Sequence, residues 1–247
     1  MLRTIFGCCG NKTKLRGEIL PLIPPHKIYI EAFCGSASIF FGKKKSEIEV
    51  LNDIDCDLML GYLLLKKGFN LDEINEDDFK ILEYSRAYYK KAHGTPQDLL
   101  LNSYMRTNLT YSNSRGKKIY RNPSFKNFTK KNLLKYQERL KYSLLYTENF
   151  ADIIHKYDSD DSFFFLDPPY SNSKREFYGK DNTIDYTELR NILFILKGKF
   201  LLTLDDSTMN RELFKWCTII NVNVRGEGHG GGIIGTNNRK ELIIKNY

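Results

Sequence analysis

Short apolar runs alternate along the chain with longer amphipathic segments, and this alternation is typical of a parallel α/β sheet. The first strand is predicted at residues 27–33, before the small residues 34–38 and an apolar stretch, residues 39–41, that is predicted to be helical. The second strand is predicted at Ile48–Asn52 and the next helix at residues 58–65. These elements form two consecutive strand-turn-helix units.

The alternation stops after residue 67 and resumes at residue 144. Between these points the chain is predicted to form charged amphipathic helices at residues 72–93, 96–106 and 129–142. The later strands are predicted at residues 144–146, 162–167, 199–204, 218–224 and 241–246, with a further helix at residues 186–196. We therefore predict an α/β fold in which a Rossmann-like sheet, residues 1–67 and 144–247, is interrupted by a mainly helical inserted domain, residues 68–143.

The positive charge of the chain is concentrated in this insertion. Residues 106–141 contain eleven Lys and Arg and one Glu, a net charge of +10, whereas the whole chain carries +8. Aromatic side chains that can stack on bases or fill a core accompany the basic ones: Tyr104, Tyr111, Tyr120, Phe125, Phe128 and Tyr136. A nucleic acid is the predicted partner, and a solvated basic face is the alternative.

Composition narrows the class of protein further. The chain has 247 residues, of which 41% are hydrophobic and 28% charged, an ordinary globular balance. It contains no apolar stretch of the roughly 18 residues that a membrane span needs, and its first residues lack the pattern of a signal peptide. Five cysteines without a C-x-x-C pair and four histidines without ligand spacing indicate neither disulfides nor a metal site. We predict a cytoplasmic protein that has no membrane partner and binds no metal.

The most specific motif is Asp167-Pro168-Pro169-Tyr170, which directly follows the apolar residues 163–166. Proline holds the residue before it extended and has no N–H, so this loop is rigid and presents carbonyl acceptors without competing donors. Asp167 and the Pro168 carbonyl can accept the two protons of an amino group on a flat ring, while Tyr170 covers the ring. We predict these four residues as catalytic, against the alternative of a surface turn.

A second motif combines Phe33, Gly35 and Ser36, at the predicted end of the first strand, with Asp53 at the end of the second. Small residues let a ligand approach the backbone, and an acid at the next strand end can accept the hydroxyl groups of a ribose. The motif lacks the full G-x-G-x-x-G of a dinucleotide site. A nucleoside site is the hypothesis, and a tight turn with a helix-capping aspartate is the alternative.

The order of these features resembles the DNA N6-adenine methyltransferases of the Dam type, in the α-class arrangement. Gly10-Asn11-Lys12 is similar to the opening G-x-K motif of that family, and residues 31–35 are similar to its E-P-F-x-G turn. The A/N-D-I segment of the family is similar to residues 51–54. The stretch that precedes the D-P-P-Y strand is similar to residues 148–152, and the terminal strand is similar to residues 240–244. The resemblance spans nearly the whole chain.

This resemblance implies a Rossmann-like methyltransferase sheet that binds S-adenosylmethionine as the methyl donor. The cofactor-binding residues that it implies are Lys12, Glu31, Phe33, Gly35, Ser36, Asp53, Phe150 and Asp167. Asp53 is expected at the ribose, Phe150 beside the adenine of the cofactor, and Lys12 and Asp167 near its methionine part.

The resemblance also implies double-stranded DNA as the partner, because residues 111–116 resemble the recognition hairpin of the family. The DNA-binding residues that we expect are Tyr111, Asn113, Arg115, Lys117, Lys118 and Arg121. Two departures stand out. Cys8 and Cys9 replace the aromatic residue that usually precedes G-x-K, and Tyr111 stands where members that recognise GATC have an arginine. The recognition sequence therefore stays open.

The predicted function is site-specific methylation of the N6 amine of adenine in duplex DNA, after the base has flipped out of the helix. The same chemistry on RNA, or on N4 of cytosine, is an alternative because the D-P-P-Y loop recognises an amine on a planar ring. A nucleic-acid-binding protein without catalysis is more remote. A nicotinamide-dependent oxidoreductase could use Gly35 and Asp53 but leaves the D-P-P-Y loop unexplained. No obligate protein partner is predicted.

Overall fold

The computed structural model describes residues 2–6, 11–68, 130–170, 184–225 and 238–247. The strands in these ranges are Ile28–Glu31 (β1), Ile48–Asn52 (β2), Leu144–Tyr146 (β3), Ser162–Leu166 (β4), Lys199–Asp205 (β5), Thr218–Arg225 (β6) and Asn238–Lys245 (β7). The α-helices are Arg16–Ile19 (α1), Cys56–Lys66 (α2), Lys130–Leu140 (α3), Phe150–Tyr157 (α4), Tyr186–Phe194 (α5) and Thr208–Leu213 (α6). Two short 3₁₀ helices, Lys12–Leu15 and Leu20–Leu22, flank α1.

The seven strands form one sheet in the order β3-β2-β1-β4-β5-β7-β6. The strands from β3 to β5 pair in parallel, and β7 pairs antiparallel with both β5 and β6. From β1 the chain continues to β2 on one side, while β4 lies on the other side, so the strand order reverses between β1 and β4. Ligands of open α/β sheets bind at the carboxyl ends of the strands at such a point. The predicted α/β class and the Rossmann-like sheet are confirmed.

Both faces of the sheet are covered, and this explains the unbroken apolar runs of the central strands. All five residues of β4 are buried, and its three phenylalanines contribute to two separate hydrophobic clusters. Phe163 and Phe165 pack on one face with α2 residues such as Tyr62, whereas Phe164 packs on the other face with α5 residues such as Leu189. The carboxyl end of β4 is therefore held firmly on both sides.

The helix predicted to follow the first strand is wrong, because the chain forms turns there. Gly35 and Ala37 have φ angles of +45° and +48°, in the left-handed region that α-helices exclude. Two isolated helix-like hydrogen bonds form afterwards, from the Phe41 amide to the Ala37 carbonyl and from the Lys43 amide to the Ile39 carbonyl. The Phe40 amide instead donates to the side chain of Glu31, 2.7 Å away. The left-handed residues and this side-chain acceptor redirect the backbone before a helix can begin.

The predicted insertion lies mostly at residues 69–129, outside the described residues, and its helical character stays a prediction. Its last predicted helix is present as α3, which packs against α2. Tyr136 is buried against Phe41, with ring centroids 5.4 Å apart, and its hydroxyl donates to the Arg3 carbonyl. Of the two roles that the sequence allows for Tyr136, stacking on bases or filling a core, the structure shows the second.

Arg139, one of the basic residues counted in the insertion, forms a buried ion cluster with Glu49 and Lys43. The guanidinium donates to both carboxylate oxygens of Glu49 and to the Phe40 carbonyl, and Lys43 Nζ lies 2.5 Å from Glu49 Oε1. Arg139 is therefore engaged in fixing α3 to the sheet and is unavailable for a nucleic acid. In the described ranges, no helix is long and apolar enough to cross a membrane.

Candidate active site

The ends of β1, β2 and β4 bring the two predicted motifs to one edge of the sheet. Because β1 pairs in parallel with both neighbours, the residues after Glu31, Asn52 and Leu166 all lie at this edge. The turn with Gly35, the carboxylate of Asp53 and the D-P-P-Y loop therefore follow neighbouring strand ends at this edge.

The turn after β1 is tied directly to Asp53. The Gly35 amide donates to Asp53 Oδ2 over 2.8 Å, and the Asp55 amide donates to Oδ1 over 3.0 Å. The Tyr62 hydroxyl donates to the Gly35 carbonyl over 2.9 Å from the other side. Burial raises the pKa of Asp53 to about 6, against the lowering effect of the two amides. Each carboxylate oxygen has two lone pairs, so Asp53 can still accept hydroxyl groups of a ribose.

Asn52, just before Asp53, joins three strand ends through one side chain. Its amide nitrogen donates to the carbonyls of Ala32 and Glu148, at 3.0 and 2.9 Å, and its oxygen accepts the Glu148 amide at 2.8 Å. The side chain is buried, and all these partners are backbone groups. Asn52 thereby fixes the segment that follows β3 relative to β1 and β2.

Phe33 and Phe150, predicted at the cofactor, lie side by side. Their ring centroids are 5.2 Å apart with planes inclined by 33°. Phe150 is the first residue of α4, where the Asn149 side chain caps the helix by accepting the Ala151 amide. Both rings are half-buried, so they present an aromatic surface next to the Gly35 turn.

Glu31 and Ser36 are buried within the turn region. Glu31 Oε1 accepts the Tyr29 hydroxyl over 2.6 Å and the Phe40 amide over 2.7 Å. Burial raises the pKa of Glu31 to about 7, despite these two hydrogen bonds. These contacts show that Glu31 supports the shape of the turn, and its predicted contact with a cofactor stays a prediction.

Asp167 follows β4 and is paired with Lys12 from the amino-terminal 3₁₀ helix. Lys12 Nζ lies 2.7 Å from Asp167 Oδ1, and the Thr203 hydroxyl on β5 donates to the same oxygen over 2.7 Å. The side chain of Lys12 is only 3% exposed and that of Asp167 is 19% exposed. Both of these contacts are made by Oδ1 of Asp167.

Tyr170 completes the loop and contacts Glu241 on β7. The phenol donates to Glu241 Oε2 over 3.0 Å, and Lys12 Nζ lies 3.8 Å from the same oxygen and 4.9 Å from the centre of the Tyr170 ring. Burial and the charges of Asp167 and Glu241 raise the pKa of Tyr170, so the phenol remains a donor. The Pro169 carbonyl accepts the Tyr186 hydroxyl, which fixes the loop to α5.

Three residues of this site were not predicted: Asn52, Thr203 and Glu241. The signal for Glu241 was its position, because this acidic residue directly precedes the apolar run at residues 242–244. The signal for Thr203 was a lone hydroxyl among the leucines of β5, where it is fully buried. The sequence positions of Glu241 and Thr203 do not identify the residues that they contact, because those contacts depend on the order of the strands in the sheet.

The predicted DNA-binding residues Tyr111, Asn113, Arg115, Lys117, Lys118 and Arg121 lie outside the described residues. Within the described part of the chain, no group of three or more His, Cys, Asp or Glu side chains is placed to hold a metal ion. The arrangement offers an aromatic surface, a ribose-type acceptor and a carboxylate held by a lysine.

Comparison with known proteins places these features in a family. The family model for D12 class N6 adenine-specific DNA methyltransferases matches residues 9–226. The type II methyltransferase M.MjaIII of Methanocaldococcus jannaschii is 27% identical over 195 residues, which are 65% of this chain and 66% of that protein. The match thus spans just under two thirds of the relative.

Solved structures with a similar chain course include two proteins of low sequence identity. The precorrin 8W decarboxylase of Methanobacterium thermoautotrophicum is 12% identical, with a TM-score of 0.43 and full coverage of both chains (100% and 100%). An rRNA methylase of Streptococcus thermophilus is 10% identical, with a TM-score of 0.35, over 95% of this chain and 93% of its own. Neither likeness assigns a role to a residue of the site.

Proposed function

Because this chain belongs to the family of D12 class N6 adenine-specific DNA methyltransferases, we propose that it transfers a methyl group from S-adenosylmethionine to the N6 amine of adenine at a specific site in duplex DNA. The observation that carries the proposal is the D-P-P-Y loop at the carboxyl edge of the sheet. There Asp167 keeps one carboxylate oxygen for a substrate, while Lys12 and Thr203 engage the other.

The residues at this edge of the sheet fit S-adenosylmethionine. Asp53 accepts from the Gly35 amide and retains lone pairs for the ribose, and Phe33 with Phe150 offers a surface for the adenine ring. The turn at Gly35 uses a backbone conformation that favours glycine, which lets a ligand lie close to the main chain. The cofactor supplies the electrophilic methyl group, so the protein contributes binding and orientation.

Asp167 orients the amine of the substrate base. The N6 lone pair is delocalised into the adenine ring, so the amine is a weak nucleophile. When Asp167 Oδ2 and the Pro168 carbonyl accept its two protons, the lone pair is directed away from them and toward the methyl group. As the methyl group leaves sulfur and the nitrogen gains positive charge, the carboxylate stabilises that charge electrostatically without removing a proton beforehand. The methylated nitrogen then gives up one proton to the Asp167 carboxylate or to solvent, which leaves neutral N6-methyladenine and S-adenosylhomocysteine.

Duplex DNA requires that the base leaves the helix before it reaches this loop. Tyr170 provides the stacking surface for the flipped base, at about 1–3 kcal/mol per stacked base. The basic insertion, including Arg115, Lys117 and Lys118, is proposed to contact DNA phosphates and base edges. The family match favours adenine in DNA over RNA and over N4 of cytosine, the alternatives that the loop alone leaves open.

Methyl transfer from labelled S-adenosylmethionine to duplex DNA, single-stranded DNA and RNA tests the proposal. We expect N6-methyladenine in duplex DNA and a fall in the single-turnover rate of about 10²-fold or more in Asp167→Asn, comparable with the loss of an oxyanion-hole donor. The matched control is Asp161→Asn, because Asp161 precedes the opposite end of β4 and forms an exposed ion pair with Lys27. Methylation of RNA alone, methylated cytosine, or an undiminished rate in Asp167→Asn contradicts the proposal.

A further inference from the structure

Three charged side chains meet beside the D-P-P-Y loop although they come from distant parts of the sequence. Lys12 Nζ lies 2.7 Å from Asp167 Oδ1 and 3.8 Å from Glu241 Oε2. Their exposed fractions are 3% for Lys12, 19% for Asp167 and 10% for Glu241. One ammonium group is thus shared by two carboxylates in a largely buried position, and the three side chains together carry a net charge of −1.

Without Glu241 the ion pair of Lys12 and Asp167 would be neutral. A neutral pair is poorly suited to the chemistry proposed here, because the substrate nitrogen becomes positive as it accepts the methyl group. The Lys12 ammonium, 2.7 Å from the Asp167 carboxylate, would oppose that charge. The second carboxylate, that of Glu241, lies 3.8 Å from the ammonium and restores the negative potential of the cluster.

The same potential bears on the two forms of the cofactor. S-adenosylmethionine carries a positive sulfonium, whereas its product, S-adenosylhomocysteine, carries a neutral thioether at the same position. The amine held by Asp167 must lie about 3–3.5 Å from the transferred methyl group, so the sulfonium lies just beyond it. A net negative cluster at this distance favours the charged donor over the neutral product.

We propose that Glu241 is a positioning residue that keeps the Lys12–Asp167–Glu241 cluster net negative, and that this cluster discriminates the sulfonium donor from the thioether product. The inference rests on the proposed function and adds a residue of β7 to the site. Glu241 has a second role through its hydrogen bond from Tyr170, which fixes the ring that covers the base.

Two substitutions separate charge from hydrogen bonding. Glu241→Gln removes the negative charge but keeps an oxygen that can accept the Tyr170 phenol. Tyr170→Phe removes that hydrogen bond but keeps the charge of the cluster. The matched control is Glu212→Gln, since Glu212 forms an ion pair with Lys215 in which both side chains are 70% exposed.

Titration calorimetry gives the dissociation constants of S-adenosylmethionine and S-adenosylhomocysteine for each protein. We expect Glu241→Gln to raise the dissociation constant of S-adenosylmethionine relative to that of S-adenosylhomocysteine by about 10-fold, because the sulfonium form loses more binding energy. Tyr170→Phe and Glu212→Gln should leave the ratio unchanged. A structural defect would weaken the two ligands equally, so equal weakening in Glu241→Gln, or an unchanged ratio, overturns the inference.

Lys12→Gln provides a test in the opposite direction, and it also decides the question if Glu241→Gln does not fold. Removing the ammonium makes the cluster more negative. The dissociation constant of S-adenosylmethionine should therefore fall relative to that of S-adenosylhomocysteine, even if both ligands bind more weakly. A shift toward S-adenosylhomocysteine contradicts the inference. If the protein without substitutions binds neither ligand, the proposed function itself fails. If that protein binds both ligands but neither variant changes the ratio of the two dissociation constants, only the role of Glu241 is contradicted.

Discussion

The hydroxyl of Thr203 donates to Oδ1 of Asp167 over 2.7 Å, and Thr203 itself is fully buried in β5. This hydrogen bond from a buried side chain restricts the rotation of the Asp167 carboxylate. In the proposed mechanism, the neighbouring strand therefore contributes by orienting this carboxylate.

Replacement of Thr203 by valine should slow methyl transfer while DNA binding persists. The substitution removes the hydroxyl that orients Asp167, and we expect a fall of about 10-fold in the single-turnover rate, since misorientation of a reacting group by even a small distance is costly. Thr203→Ser retains the hydroxyl and should restore most of the rate. An equal loss in both variants, accompanied by a lowered Tm, would instead indicate a packing defect.

The affinity for S-adenosylmethionine should fall as the pH drops below about 6. Burial raises the pKa of Asp53 to about 6, and a protonated carboxyl loses one of its acceptors for the ribose. Calorimetric titrations between pH 5 and pH 8 should show this step in the unaltered protein and its absence in Asp53→Asn. A step that remains near pH 7 in that variant is assigned to Glu31, whose pKa burial raises to about 7.

The buried cluster of Lys43, Glu49 and Arg139 should make stability depend on pH in the acid range. Burial alone would raise the pKa of Glu49, but hydrogen bonds and charges from Arg139 and Lys43 outweigh it and hold the pKa below its usual value. Stability from this group is therefore complete above about pH 4.3, the usual pKa of Glu, and is lost as the pH falls through the lowered value. Urea unfolding at several pH values should show this loss.

Arg139→Met should lower the free energy of unfolding by about 3–5 kcal/mol at neutral pH, because Glu49 stays buried without its bidentate partner. The exposed pair of Lys45 and Glu138 offers the control, and Lys45→Met should change the stability by less than about 1 kcal/mol. Similar effects of the two substitutions would show that burial of the cluster has no energetic consequence.

DNA affinity should decrease steeply with salt through the basic insertion. Replacing Lys117 and Lys118 together by alanine should lessen the slope of log K against log[salt] by about 0.9 per lost phosphate contact. Lys197→Ala is the control, because Lys197 lies exposed just before β5, at the amino-terminal edge of the sheet. A slope that is unchanged by the double substitution would exclude these two lysines from the DNA interface.

The strands were well predicted because their sequences are strongly apolar and flanked by polar residues. β2 and β3 begin and end where the apolar runs do, and β4 differs by one residue. The helix expected at residues 39–41 was wrong because Gly35 and Ala37 adopt left-handed conformations. A small residue permits such a conformation, but its presence in the sequence does not show that the conformation is adopted.

The parts of the site that depend on neighbouring strands could not be predicted. Lys12 and Asp167 were expected near the same end of the cofactor, but their direct contact depends on how the amino-terminal segment packs. Glu241 faces Tyr170 only because β7 runs antiparallel beside β5, and strand order is invisible in local periodicity. The residues of the family motif were therefore predicted, whereas the residues of neighbouring strands that contact them were not.

The shared position of Lys12, Asp167 and Glu241 also has a consequence for the order of folding. Contacts between segments far apart in sequence form late, since long stretches of chain must be closed first. Lys12 is far from both Asp167 and Glu241 in the sequence, so a chain whose amino-terminal segment has not yet docked lacks the ammonium that balances the two carboxylates. During refolding, the capacity for methyl transfer should therefore appear together with the docking of this segment, later than the pairing of β7 with β5 and β6.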